Sequence, residues 1–148
     1  MRARTVKTRW LIAGLMLLLP LTTWAQADVE VSSDYEVIGI AQELFRQQGF
    51  DVPRGSLDIQ NVTGWGRVLY IKMRSRRTTQ MDDILMSFVV GGGVYPYSKN
   101  LDYIVVISEV NFKDSEQLVL AAPAGCCESL FYNQVDVDYF SDNCLITD

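Results

Sequence analysis

Apolar residues recur at helical spacing in two runs of this chain, and the second run repeats the first 44 residues later. Each run is followed by two stretches in which apolar and polar residues alternate, as in half-buried strands. This order predicts an α+β fold of two tandem helix–strand–strand units, 34–75 and 78–122, within a single domain, 28–148. We expect a four-stranded antiparallel sheet with both helices on one face. The two runs are Val37, Ile40, Ala41, Leu44 and Phe45, and Met81, Ile84, Leu85, Phe88 and Val89.

Capping and turn residues mark the ends of the predicted helices. Ser33 and Glu36 have the spacing of a capping box at the start of a first helix over 34–48. A second helix is predicted to begin at the threonine pair 78–79. We expect it to end at the glycine run 91–93, because glycine is a poor helix former.

Two hairpins account for the alternating stretches. The first is predicted over 57–61 and 67–74, around the glycine-rich turn Thr63-Gly64-Trp65-Gly66. The second is predicted over 101–110 and 116–122, with a loop between them.

The first 27 residues have the order of a secretory signal peptide. A basic start without acidic residues precedes an apolar run of about 12 residues, which is shorter than the roughly 20 residues that a membrane-spanning helix needs. Ala25 and Ala27 place the predicted cleavage after Ala27, and no later stretch is long enough to cross a bilayer. The sequence therefore predicts an exported protein, periplasmic or extracellular. The basic residues of the leader are Arg2, Arg4, Lys7 and Arg9.

Charge and composition narrow the possible functions. The chain has 13 basic and 18 acidic residues, and loss of the leader leaves nine basic residues and a net charge of −9. Such a protein has no electrostatic reason to bind nucleic acid or an anionic membrane. Histidine is absent, which removes Ser–His–Asp and Cys–His catalysis and histidine-ligated zinc. We expect no cofactor and no enzymatic activity.

Three cysteines, Cys126, Cys127 and Cys144, lie in the mature chain. A disulfide is expected in an oxidising compartment, and neighbouring cysteines rarely bond each other. We expect one of the vicinal pair to bond Cys144 and to tie the acidic tail, 123–148, to the domain. A soft-metal site that uses all three thiolates is the alternative, although no Cys-x-x-Cys spacing supports it.

The acidic tail carries weaker patterns. Residues 126–132 suggest a short helical turn, and the alternation over 135–139 suggests an edge strand. Nearby oxygen ligands at short spacing could hold calcium, but they lack the glycine and the closing glutamate of an EF-hand loop. We favour a solvated acidic edge over a metal site. The oxygen ligands are Asp136, Asp138, Asp142 and Asn143.

Five of the nine mature basic residues fall between positions 67 and 77. Alternation predicts that Leu69, Ile71 and Met73 face the core and that the residues between them face outward. An open sheet face with tyrosine and arginine is a plausible binding surface, and Trp65 at a hairpin tip is a plausible anchor. The alternatives are an ordinary charged sheet face and a tryptophan that folds back onto the sheet edge. The candidate binding residues are Trp65, Arg67, Tyr70, Lys72, Arg74, Arg76 and Arg77.

No motif identifies a family. The helix–strand–strand order over 34–122 resembles, in topology, tandem PepSY-type modules and secreted β-lactamase inhibitor proteins, which implies binding or inhibition of another protein. Gly55-Ser56-Leu57-Asp58-Ile59, followed by Trp65-Gly66 and Ile71, resembles a stretch of a curli secretion accessory protein. The second half of the chain does not follow that pattern.

These observations favour a non-enzymatic binding or accessory protein of the cell envelope or extracellular space that contacts another envelope or secreted protein. One alternative is a self-assembling or assembly-assisting envelope component, in which the basic strip meets an acidic tail. Another is a small hydrolase that uses its carboxylates.

Overall fold

A computed structural model describes residues 33–98, 100–112 and 114–147 of the chain. The predicted signal peptide, 1–27, lies outside these residues. Within the described ranges, no helix is long and apolar enough to cross a membrane.

The α+β class predicted from the sequence is confirmed. Four helices pack with one five-stranded sheet of strand order β1-β2-β3-β4-β5 in the described part of the chain. The helices are α1 (Asp34–Gln47), α2 (Gln80–Val94), α3 (Ala124–Phe131) and α4 (Val137–Asn143). The strands are β1 (Leu57–Val62), β2 (Gly66–Arg74), β3 (Tyr103–Phe112), β4 (Asp114–Pro123) and β5 (Ile146–Thr147).

The two predicted hairpins form, and each is antiparallel. They join through β2 and β3, which run parallel, so the sheet is mixed rather than antiparallel throughout. The physical reason is the connection: α2 crosses back over the sheet and delivers β3 to the end at which β2 began. The second hairpin is also tighter than predicted, because residues 111 and 115 pair with each other in the strands.

Helix α1 begins as its sequence predicts. The side chain of Ser33 accepts a hydrogen bond from the amide of Glu36, and the Glu36 carboxylate accepts one from the amide of Ser33. This capping box satisfies two of the four amides that a helix start leaves without partners. The helix buries Val37, Ala41 and Phe45 and packs the partly buried Ile38, Ile40 and Leu44 against the same core.

The glycine run 91–93 does not end α2, which continues to Val94 with all three glycines buried. A Cβ atom at Gly92 would overlap the carbonyl oxygen of Cys127 and would lie 2.8 Å from the amide nitrogen of Glu128. Glycine is therefore needed for α2 and α3 to approach this closely, and tertiary packing overrides its low helix propensity. The prediction of a helix end at this run was wrong for that reason.

The helices cover one face of the sheet, as predicted. Leu69, Ile71 and Met73 of β2 are buried against them, and the main core also includes Phe88 of α2 and Phe140 of α4.

The tail after Pro123 folds onto this core. Cys126 and Cys144 form a disulfide, so the predicted bond is confirmed and Cys126 is the partner. The edge strand expected over 135–139 is wrong: Asp136 accepts a hydrogen bond from the amide of Tyr139 and caps α4, which buries Phe140. The edge strand of the tail is instead β5, which pairs with Leu120 and Ala121.

Candidate protein-binding face

The face of the sheet opposite the helices carries a small apolar cluster of its own. Val68, Val105 and Ala121 come from three adjacent strands and are almost fully buried, although none of the four described helices covers them. Partly buried neighbours shield them: Val62, Tyr70, Tyr103 and Ile107. We call this side of the sheet the open face.

The turn between β1 and β2 places Trp65 at the edge of the open face. Gly64 and Gly66 have φ angles of +82° and +77°, in the left-handed region that favours glycine. The indole packs edge-on against Tyr103 with ring centroids 4.8 Å apart. Trp65 nevertheless keeps 37% of its surface exposed, so it combines contact with its own sheet and access for a partner.

Trp65 forms one wall of a shallow cavity of about 180 Å³ on the open face. Ile146 of β5 forms part of the opposite border, and the disulfide at Cys144 holds this strand close to α3. We call this cavity the apolar pocket. Its lining is Val62, Trp65, Val68, Tyr70, Val105, Val119, Ala121 and Ile146.

Beyond Tyr70, the surface changes from apolar to basic. Three adjoining cavities, of about 580, 530 and 320 Å³, follow the end of β2 and share Lys72 or Arg74 at their borders. We call them together the basic groove. Its four exposed cations are Lys72, Arg74, Arg76 and Arg77.

Among the side chains that the structure describes, in residues 33–98, 100–111 and 115–147, none of these four cations has a carboxylate within 4.0 Å. The ion pairs there are Arg46 with Glu43 and Arg67 with Asp34. Three carboxylates still border the groove. Asp58 accepts a hydrogen bond from Gln60, Glu109 is half-buried opposite Arg74, and Asp51 lies at the far rim. The groove therefore keeps an excess of positive charge in a chain whose total charge is negative.

Arg67 lies apart from the other candidate binding residues. Its guanidinium pairs with Asp34 at the start of α1, and its backbone amide donates a 2.8 Å hydrogen bond to Asp102. Only 19% of its side chain is exposed. Arg67 thus joins α1 to the sheet on the helix-covered side and does not belong to the open face.

The cysteines offer no reactive group at the surface. Cys127 is buried, and burial raises the pKa of its thiol far above the usual range, which leaves it protonated and unreactive. The alternative site of three thiolates is incompatible with the Cys126–Cys144 bond.

The calcium alternative gains no support in the tail. Asp136 caps α4, and the amide group of Asn143 donates to the carbonyl of Tyr139. In the described ranges, no group of three or more Asp, Glu, Cys or His side chains is placed to hold a metal ion.

The apolar pocket was missed from the sequence, although the candidates Trp65 and Tyr70 line it. A usable signal was present in β3, where Tyr103, Val105 and Ile107 alternate with buried Ile104 and Val106. A strand that is apolar on both sides indicates either that both faces of the sheet are covered or that one apolar face is left uncovered. No pattern in the sequence indicated that Ile146 lines the pocket, because the position of this residue depends on how the tail folds.

Comparison with known protein families, with curated proteins and with solved structures finds no match for this chain.

Proposed function

We propose that this chain is an exported, non-enzymatic protein that binds another protein through the open face of its sheet. The observation that carries the proposal is the apolar pocket, bordered by the partly exposed Trp65 and Tyr70 and continuous with four exposed cations. The disulfide supports an oxidising compartment, which fits the predicted signal peptide.

The chemistry of the open face suits a protein partner. Tyrosine, tryptophan and arginine are enriched among the residues that dominate protein–protein affinity, and such residues act best beside a desolvated pocket. The tight hairpin and the contact with Tyr103 hold Trp65 in place before binding, which reduces the entropy lost on association.

Site-specific photo-crosslinking tests the proposal. A photoreactive residue at Gln60, exposed on the open face beside Tyr70, should join the tagged chain to one partner in its native envelope. The same residue at Gln47, exposed at the end of α1, is the matched control and should yield no such product. Trp65→Ala combined with Arg74→Glu should abolish the Gln60 product while leaving the fold intact.

Equal products from Gln60 and Gln47, or a product that survives the double substitution, would show that the open face is not the binding surface.

A second candidate, self-assembly, is favoured by one observation. Helix α4 exposes Asp138 and Asp142, so one copy carries both a basic groove and an acidic helix. Contact between them would join copies head to tail. Crosslinks from Gln60 to α4 of a second copy, with a mass that grows with concentration and falls with salt, would favour self-assembly over a separate partner.

A further inference from the structure

The apolar pocket and the basic groove lie in line along β2. Val68, Tyr70, Lys72 and Arg74 all face the open side, with Val68 in the floor of the pocket and the two cations in the groove. A strand rises about 3.3 Å per residue. Lys72 is therefore about 13 Å from Val68, and Arg74 about 20 Å, along the strand.

We infer that the partner presents an extended segment that combines an apolar side chain with carboxylates four and six residues away. The apolar side chain occupies the pocket between Trp65 and Ile146, and the carboxylates meet Lys72 and Arg74. This inference rests on the proposed function and specifies the chemistry of its partner.

Charge supports an acidic segment. The mature chain is expected to be strongly acidic, yet it places four cations around one groove that Asp51, Asp58 and Glu109 border. Among the described side chains, no carboxylate lies within 4.0 Å of any of the four cations. Arginine donates to carboxylates in a paired geometry that lysine cannot reproduce, and the end of the groove carries Arg74, Arg76 and Arg77.

Spacing supports an extended conformation. An extended segment presents side chains on one face every second residue, which is the interval between the outward residues of β2. Each such side chain can then meet one outward position of the strand below it. A second copy bound face to face fits poorly, because its open face would offer the groove four exposed cations rather than an excess of carboxylates.

Synthetic peptides test this inference directly. The probe is a fluorescein-labelled seven-residue peptide with Phe at position 1, Glu at positions 5 and 7, and Ser elsewhere. Binding to the purified chain is measured by fluorescence anisotropy at protein concentrations up to about 1 mM, the weak end of measurable affinity. Gln at positions 5 and 7 should weaken binding at least about fivefold, and Ser at position 1 should weaken it at least about tenfold.

A variant with reversed charges in the groove separates a loss of peptide binding from a loss of folding. The variant Lys72→Glu with Arg74→Glu should lose the Glu peptide and gain a peptide with Lys at positions 5 and 7. Its circular dichroism and melting temperature should match those of the unchanged chain, because both side chains are exposed.

Each outcome distinguishes the inference from the proposed function. Equal binding of the Glu and Gln peptides, or no peptide binding at all, overturns the acidic segment; the photo-crosslink at Gln60 decides the binding face separately. Binding to vesicles of anionic phospholipid that depends on Lys72 and Arg74 also overturns the inference, since the groove would then serve a membrane.

Discussion

The two faces of one sheet differ in what covers them. On the helix-covered face, Leu69, Ile71, Ile104 and Val106 meet side chains from the helices and are almost completely buried. On the open face, Val68 and Val105 reach nearly the same burial by contact with side chains of the sheet itself and its turn. The side chains of the two faces are thus buried to a similar extent, but helices bury one set and neighbouring side chains of the sheet bury the other.

Under the proposed function, this difference separates the residues that stabilise the fold from those that bind a partner. Side chains under the helices hold several elements together, so changes there affect the whole fold. Side chains on the open face contact mainly one another, and under the proposed function the exposed parts of Trp65 and Tyr70 would meet the partner. Substitutions on the two sides should therefore differ in the stability that they cost.

The largest effect is expected at Gly92, where α2 and α3 meet. Gly92→Ala should lower the free energy of unfolding by about 3 kcal/mol, because its methyl group would overlap the backbone of Cys127. Gly39→Ala is the matched control in α1, where a Cβ meets nothing within 4 Å; it should stabilise by about 0.5–1 kcal/mol. Urea unfolding measures both, and a Gly92→Ala chain of unchanged stability would contradict the close helix contact.

Adjacent valines of β3 compare the two faces within one strand. Val106 points to the helices and Val105 to the open face, with exposures of 0% and 8%. Val106→Ala should cost about 2.5 kcal/mol of unfolding free energy, because its cavity would be enclosed on all sides. Val105→Ala should cost about 1 kcal/mol, since the open face can relax around it. Equal costs in urea unfolding would mean that the open face is packed as tightly as the core.

Trp65 should matter more for binding than for stability. Trp65→Ala removes an edge-on pair with Tyr103 and should cost about 1 kcal/mol of unfolding free energy, together with loss of the partner. Tyr132→Ala removes a comparable exposed pair with Phe131 near the end of α3 and should leave partner binding intact. Thermal unfolding and partner capture, measured on both variants, check the contrast.

The smallest losses of unfolding free energy are expected for two arginines of β2. Arg67→Met breaks the pair with Asp34 and should cost up to about 1 kcal/mol of unfolding free energy. Arg74→Met should change it by less than about 0.5 kcal/mol but should weaken partner binding. If Arg74→Met cost more stability than Arg67→Met, Arg74 rather than Arg67 would make the contact that stabilises the fold.

Local patterns in the sequence predicted the elements that local physics determines. The capping box at Ser33, the glycine turn around Trp65 and the alternation along β2 each specify backbone geometry or side-chain direction within a few residues. The disulfide to Cys144 followed from compartment and chain strain. The binding role of the exposed residues stays a prediction.

Features that depend on distant contacts were not predictable in this way. The burial of Gly92 and Gly93 reflects the approach of α3, which lies more than 30 residues further along the chain. Alternation over 135–139 fits a strand, but the cap at Asp136 and the burial of Phe140 favour a helix. The parallel pairing of β2 and β3 and the wall contributed by Ile146 depend on topology, which side-chain periodicity does not encode.

In an unfolded chain, Cys126 and Cys127 are nearly equal competitors for Cys144, because the two possible loops differ by one residue and closure entropy varies slowly with loop length. Packing of α3 distinguishes them, since it buries Cys127 and leaves Cys126 beside the end of α4. Selective oxidation of Cys126 therefore depends on the docking of α3, and a bond formed earlier between Cys127 and Cys144 would have to reshuffle by thiol exchange. In the folded chain Cys127 is fully buried, and burial raises the pKa of its thiol, so the third thiol is withheld from exchange with the Cys126–Cys144 bond.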